Sequence, residues 1–193
     1  MIQYQKNPGK GSGKIIEVDG RKYQAKYIGK GQYSKVYRVG DRVVYYTRGD
    51  CGKEVLAMFR YDRMAHLPEI IRHENITTGR GIWYVFSSPY YRNVTSRDTS
   101  AWRLMKEIQR SILRYRQALY IRGERGISLM QEQVNGMKED RDVPNSVLKA
   151  LQEIVDVASN CGQDVWFDLY AKNFGVNEYG TLIFRDPIYV KNW

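Results

Sequence analysis

Asp168 and Asn173 stand five residues apart, and a second carboxylate, Asp186, follows after two short apolar runs at 174–176 and 182–184, separated by a polar turn at 177–180. The two runs read as the strands of a hairpin with polar loops at its open end. Three oxygen-bearing side chains would then gather at one end of a small sheet. Mg²⁺ with a polyphosphate requires such a set, because the metal takes hard oxygen ligands and usually draws only one or two from protein. A phosphoryl acceptor also needs a carboxylate to orient its hydroxyl. The competing reading is that these are turn residues of an unrelated α+β domain, since Asp and Asn at turns usually bond only local backbone.

Positioning such a set requires a core, and 193 residues are enough for one sizeable core or for two small lobes sharing a cleft. The composition, 42% hydrophobic and 27% charged, excludes general disorder. The exception is the start, where residues 6–14 carry no apolar side chain and residues 1–14 read as a flexible terminus. No apolar run approaches a membrane span and no basic-then-apolar leader opens the chain, so a cytosolic protein without a membrane partner is expected. Cys51 and Cys161 lack the spacing of a disulfide scaffold or a zinc site. The net charge of +10 favours nucleic acid, acidic protein surfaces or nucleotide phosphates as partners without choosing among them. The densest basic group, between Arg103 and Arg125, reads equally as a solvated helix face or a nucleic-acid stripe.

Along the chain, 15–18 and 21–28 form a hairpin through Asp19 and Gly20, whose types suit a tight primed turn. A second pair, up to Val39 and from Arg42, is joined at Gly40 and Asp41. Between these pairs lies a glycine corner, Gly29, Lys30 and Gly31, followed by Ser34 and Val36. Glycines flanked by strands let backbone N–H groups reach phosphate oxygens without an intervening side chain. Residues 52–64 space Val55, Met58, Phe59 and Met64 along a helix that would lean on the sheet, with Glu54 either pairing a strand lysine or simply complementing the helix dipole. Residues 67–71 and 81–86 read as two further strands or as a strand and its approach. Ser87 to Tyr91 then break the run, which places a boundary there between an N-terminal lobe, 15–87, and a C-terminal lobe, 88–193. Backbone groups from Ser88 to Tyr90 would meet an adenine, less the donor that Pro89 lacks. From Thr99 to about Ile121, Ala101, Met105, Ile108, Ile112, Tyr115 and Leu119 recur at helical spacing. Residues 123–142 are polar and read as loop or short irregular helix, and Pro144 opens a second helix lined by Val147, Leu151, Ile154, Val155 and Ala158. Strands first and helices second is an α+β pattern.

The order of these parts resembles the protein kinases: a glycine loop, a leaning helix, a connector, a long helix, D-x-x-x-x-N at Asp168 and Asn173, a hairpin, and a metal Asp at 186. More narrowly, Phe167 before Asp168 and Pro187 after Asp186 make the chain similar to the early host-shutoff protein kinases of short-tailed T-odd bacteriophages. The resemblance spans roughly residues 20–190. It implies a compact two-lobe kinase-like fold, with an antiparallel N-terminal sheet carrying one helix and a reduced, mainly helical C-terminal lobe. It also implies ATP and Mg²⁺ as cofactors and host protein hydroxyls, or the chain's own, as acceptors. By the same resemblance Asp168 and Lys172 are catalytic, Asn173 and Asp186 hold the metal, and Gly29, Lys30, Gly31, Ser34, Val36, Ser88 and Tyr90 contact the nucleotide.

Two departures bear on activity. Tyr45 stands where the third strand of a kinase carries its phosphate-binding lysine, and a phenol cannot neutralise phosphate charge. Lys30 and Arg48 are possible substitutes; Lys35 faces away if Val36 faces the adenine, because strand side chains alternate. Only seven residues follow Asp186, so a peptide-docking platform is not expected within the chain. These departures keep two alternatives open: a kinase frame used as a binding and inhibitory module, and nucleotidyl transfer to proteins with the same metal ligands.

Overall fold

The computed structural model describes residues 14–18, 21–30, 34–48, 52–58, 64–78, 81–113, 122–139, 142–161 and 165–190. The chain is mixed α/β, with a curled antiparallel sheet, and divides into two compact units. The first comprises Met1–Ala57 and Glu69–Tyr90, the second Met58–Pro68 and Tyr91–Trp193. The second unit therefore takes Met58–Pro68 as well, which a single boundary at 87/88 assigns to the first.

The first unit is built on strands β1 (Lys14–Val18), β2 (Arg21–Lys30), β3 (Ser34–Val39) and β4 (Arg42–Thr47), helix α1 (Gly52–Met58), and strands β5 (Ile71–Arg72), β6 (Ile76–Thr78) and β7 (Gly81–Pro89). The sheet runs in the order β1-β2-β3-β4-β7-β5, with β6 also paired to β7. Alternation along the strands divides its side chains between two faces. Tyr37, Val39, Val44, Tyr46 and Val85 join Ile16 and Ala25 in a buried cluster on one face, with Trp83 packed against it. The other face presents Val36, Tyr45 and Phe86, which sit directly opposite one another in register, and Val43 opposite Ser88. Gly40 turns the chain between β3 and β4 with φ +60, a value glycine reaches without a Cβ penalty. Asp19 and Gly20, expected at the first turn, lie outside the described residues, as does Phe59.

Of the two readings of 67–71, the approach to a strand holds: Leu67 N donates to Met64 O in a turn, Pro68 has no N–H to give a ladder, and pairing begins only at Ile71. One expectation needs correction here. Ser87 does not break the next strand. β7 continues to Pro89, with Ser87 and Ser88 paired to Val44 and Val43, because a proline at a strand's last position forfeits little.

The second unit contains β8 (Arg92–Asn93), α2 (Thr99–Leu113), α3 (Gly123–Met137), α4 (Asn145–Ser159), β9 (Val165–Phe167), β10 (Phe174–Val176), β11 (Leu182–Phe184) and β12 (Ile188–Val190). On α2 the expected positions Ala101, Met105, Ile108 and Ile112 are buried, whereas Tyr115 and Leu119 fall outside the described residues. All five apolar positions expected on α4 are buried. The polar stretch from Gly123, expected as loop or irregular helix, is a helix of 15 residues. Its glycines cost about 1 kcal/mol each relative to alanine. The offset comes from a buried stripe, Gly126, Met130, Gln133, Val134 and Met137, recurring at helical spacing on a helix that packs against α4. Gln131 and Gln152 exchange amide hydrogen bonds of 2.8 and 2.7 Å across that pair, so even the polar positions find partners. No helix among the described residues is long and apolar enough to cross a membrane.

Candidate active site

Two nested ladders hold the acidic residues of the second unit. In the outer one, β9 pairs with β12, Phe167 opposite Ile188; in the inner one, β10 pairs with β11, Phe174 opposite Phe184. Between the ladders lie residues 168–173 on one strand path and 185–187 on the other, so the loops of Asp168 and Asp186 emerge at the same end by register alone. Backbone bonds close the gap. Asp168 N donates to Pro187 O at 2.8 Å, and Arg185 N donates to Asn173 O at 2.8 Å. The single 3-10 turn at Ala171–Asn173 then swings the Asn173 side chain back, and its Nδ2 donates to the backbone oxygen of Asp168 at 2.7 Å. The amide nitrogen being spent there, the acceptor oxygen of Asn173 is the part available for a cation.

Asp168 is half-buried, and its Oδ1 is buried without a hydrogen-bond partner. Burial pushes its pKa above the ordinary carboxylate value, and the like charge of Asp186 adds to the effect; the Asn173 amide and the Lys172 ammonium act against it. Lys172 Nζ lies 3.7 Å from Asp168 Oδ2 on an otherwise exposed side chain, a loose pair that solvent screens. Asp168, Lys172, Asn173 and Asp186 are therefore brought together as expected. Among the described residues no group of three or more His, Cys, Asp or Glu could enclose a metal by itself. The set available, one carboxylate and one amide oxygen beside an orphaned buried carboxylate oxygen, suits Mg²⁺, which keeps most of its sites for water and phosphate.

Two supporting residues escaped the sequence reading. Arg185 reaches under the hairpin and donates through Nη1 to Tyr91 O at 3.2 Å and through Nη2 to Lys172 O, fixing the loop before Asn173. Its stem passes so close to β10 that a Cβ on Gly175 would lie 2.7 Å from Arg185 Cδ and 2.8 Å from Tyr91 Cβ. A glycine inside a strand is the usual trace of such an approach, and was the available signal. His66 is the other: it is buried, Nδ1 donates to Leu182 O at 2.7 Å, Nε2 meets Ser146 Oγ at 3.0 Å, and its own carbonyl accepts from Phe184 N. Burial lowers its pKa, so it holds β11 as a neutral imidazole. A recess of about 690 Å³ between His66, α2 and Leu182 contains none of the acidic set.

In the first unit, Gly29 and Lys30 end β2 after a bulge between Tyr27 and Gly29, opposite Val36 and Lys35. Ser34 opens β3, and Gly31 lies outside the described residues. A Cβ on Gly29 would meet nothing within 4 Å, so the backbone there is open to approach. The connector residues differ from expectation in one respect: the Tyr90 N–H already donates to Asp41 O at 2.7 Å and is not available to a base, while its ring carries the Arg38 guanidinium at 4.0 Å. Ser88 offers its hydroxyl, shared with Tyr45 Oη at 3.2 Å.

The basic side chains around Tyr45 divide between the two faces of the sheet. Lys35 and Arg48 both lie over the Trp83 ring, at 5.2 and 4.5 Å, on the face opposite Val36 and Tyr45. Over Tyr45 itself lies a residue the sequence reading passed by, Lys53 of α1, with Nζ 4.8 Å from the ring centroid and only 3% of the residue exposed. Glu54 pairs not with a strand lysine but with Arg72 on β5 at 2.6 Å.

No protein-family model matches the chain, and no curated protein matches it.

Proposed function

We propose that the chain is an ATP- and Mg²⁺-dependent phosphotransferase of compact, two-lobe, protein-kinase-like architecture, moving the γ-phosphate to serine or threonine hydroxyls of a host protein or to its own. The observation that carries this reading is the meeting of Asp168, Asn173 and Asp186 between two nested ladders. Asp168 accepts a hydrogen bond from the acceptor hydroxyl and orients it. Its raised pKa makes the carboxylate a better proton acceptor than a surface aspartate. Asn173 and Asp186 would hold Mg²⁺, which, bound to the polyphosphate, neutralises charge developing on the transferred group. Lys172, on the exposed side of Asp168, suits contact with that group more than support of the fold. In the first unit, Gly29, Lys30, Ser34 and Val36, at the facing ends of β2 and β3, would cover the nucleotide.

The test is transfer of label from γ-labelled and, in parallel, α-labelled ATP to the protein and to a host-cell extract. Label from the γ position, abolished by Asp168→Asn and by Asp186→Asn, is expected. Label from the α position would mean nucleotidyl transfer on the same ligands. Tyr45 in the third-strand position favours a second reading, a binding module that inhibits an acidic host protein or competes for nucleic acid through its net charge of +10. Absence of transfer from a folded protein that captures such a partner would establish that module instead.

A further inference from the structure

Resting on the nucleotide reading above, we infer that Lys53, projected from α1 across the ring of Tyr45, is the residue that binds the phosphates of ATP in the first unit, so that the cation has moved from the strand to the helix. Three observations converge on the sheet face that carries Val36. The first is Lys53 itself, a residue only 3% exposed whose Nζ is seated 4.8 Å from the Tyr45 centroid. A cation over an aromatic ring is attracted without a fixed bonding geometry, and lysine carries its charge on a flexible stem with three donors. The ammonium can therefore keep the ring beneath it and still donate to a phosphate oxygen.

The second is the way Tyr45 is fixed. Its hydroxyl pairs with Ser88 Oγ at 3.2 Å, and that serine also donates to Pro89 O at 3.0 Å, which holds the phenol as a platform and not as a ligand. The third is Thr47, two residues along β4 on the same face and opposite Ser34: it is wholly buried, yet its Oγ1 has no hydrogen-bond partner. A buried orphan hydroxyl on the sheet face that also carries a buried lysine suits an acceptor of several hydrogen bonds, which a phosphate is. Of the substitutes that the sequence offers, Arg48 lies over Trp83 on the opposite face, as does Lys35, and Lys30 stands opposite Lys35 in register.

The experiment uses the unaltered protein and an acyl phosphate of ATP. An amine held at the phosphates, after losing a proton to solvent, attacks the acyl carbon; an amide forms and ATP leaves. Peptide mapping is expected to place the acyl group on Lys53, with labelling suppressed by Mg·ATP and not by adenosine. ATP-suppressed labelling at Lys30, Lys35 or another lysine with Lys53 unmodified overturns the assignment while leaving the nucleotide reading intact. No ATP-suppressed labelling at all, together with no transfer of γ-phosphate, overturns both; transfer without labelling overturns this assignment alone. Lys53→Met should weaken ATP binding 10- to 100-fold with adenosine affinity unchanged, and Lys53→Arg should restore part of it. Equal ATP affinity in a folded Lys53→Met protein would overturn the proposal.

Discussion

The two units place their chemistry by different means. In the first, an antiparallel sheet sorts side chains by alternation: one parity of β4 feeds the cluster of Val44 and Tyr46, the other presents Val43, Tyr45 and Thr47 to the opposite face. In the second, the acidic residues sit in loops with no period. They are held by bonds that reach across the chain, Asp168 N to Pro187 O, Asn173 Nδ2 to Asp168 O, and Arg185 to the carbonyls of Lys172 and Tyr91. A periodic scaffold tolerates exchange of a single residue, because its neighbours keep the parity. An aperiodic brace fails at one point.

The largest effect should follow from the braced carboxylates. Asp168→Asn and Asp186→Asn should each lower γ-phosphate transfer by about 10² to 10⁴-fold, measured with labelled ATP. Asp168→Asn should at the same time stabilise the fold at neutral pH. Its folded pKa is raised, so the folded state binds the proton more tightly than the unfolded chain, and stability falls as pH rises from about 4 through the folded value. Urea denaturation should show a gain at pH 7 that vanishes below about pH 4; an equal gain at both would mean that the carboxyl is not strained by burial.

A pair of glycines sharpens the contrast. Gly175→Ala must displace the Arg185 stem or Tyr91 and should cost about 1–3 kcal/mol. Gly29→Ala, whose Cβ meets nothing, should be neutral or add about 0.4–1 kcal/mol to stability while weakening nucleotide binding. Thermal melts of the two side by side decide it, and equal losses would erase the distinction between the units.

His66→Ala should cost about 1–3 kcal/mol by leaving the Leu182 carbonyl unsatisfied. Because burial depresses its pKa, the unfolded chain binds the proton first, so the unsubstituted protein should lose stability as pH falls from about 6.5 through the folded value. His66→Ala should flatten that slope. The smallest change is Tyr45→Phe, which keeps the ring under Lys53 and loses one hydroxyl contact; about 0.5–1.5 kcal/mol is expected in chemical denaturation.

What the sequence disclosed follows the same division. The opposed facing of Val36 and Lys35 on β3 and the hairpin of β10 and β11 were legible, because period 2 and turn residues are local signals. So were the acidic residues, which stand in motif order. The helix α3 was not, since its stripe runs through glycines and a glutamine that propensity counts against a helix. Arg185 and His66 were not either: each acts on carbonyls 94 and 116 residues away in the chain, and nothing local marks such a partner. Lys53 was passed over for the more ordinary reason that its neighbour Glu54 was the residue expected to matter.

The division of the chain into units has a consequence for its synthesis. The path changes units at 57/58, at 68/69 and at 90/91, so Met58–Pro68 emerges from the ribosome long before the rest of its unit. Its partners at Leu182 and Phe184 are made more than a hundred residues later. Until then the imidazole of His66 lacks the Leu182 carbonyl that it meets in the fold. The second unit thus cannot finish folding before residues 182–184 are made; its first-made segment waits for them.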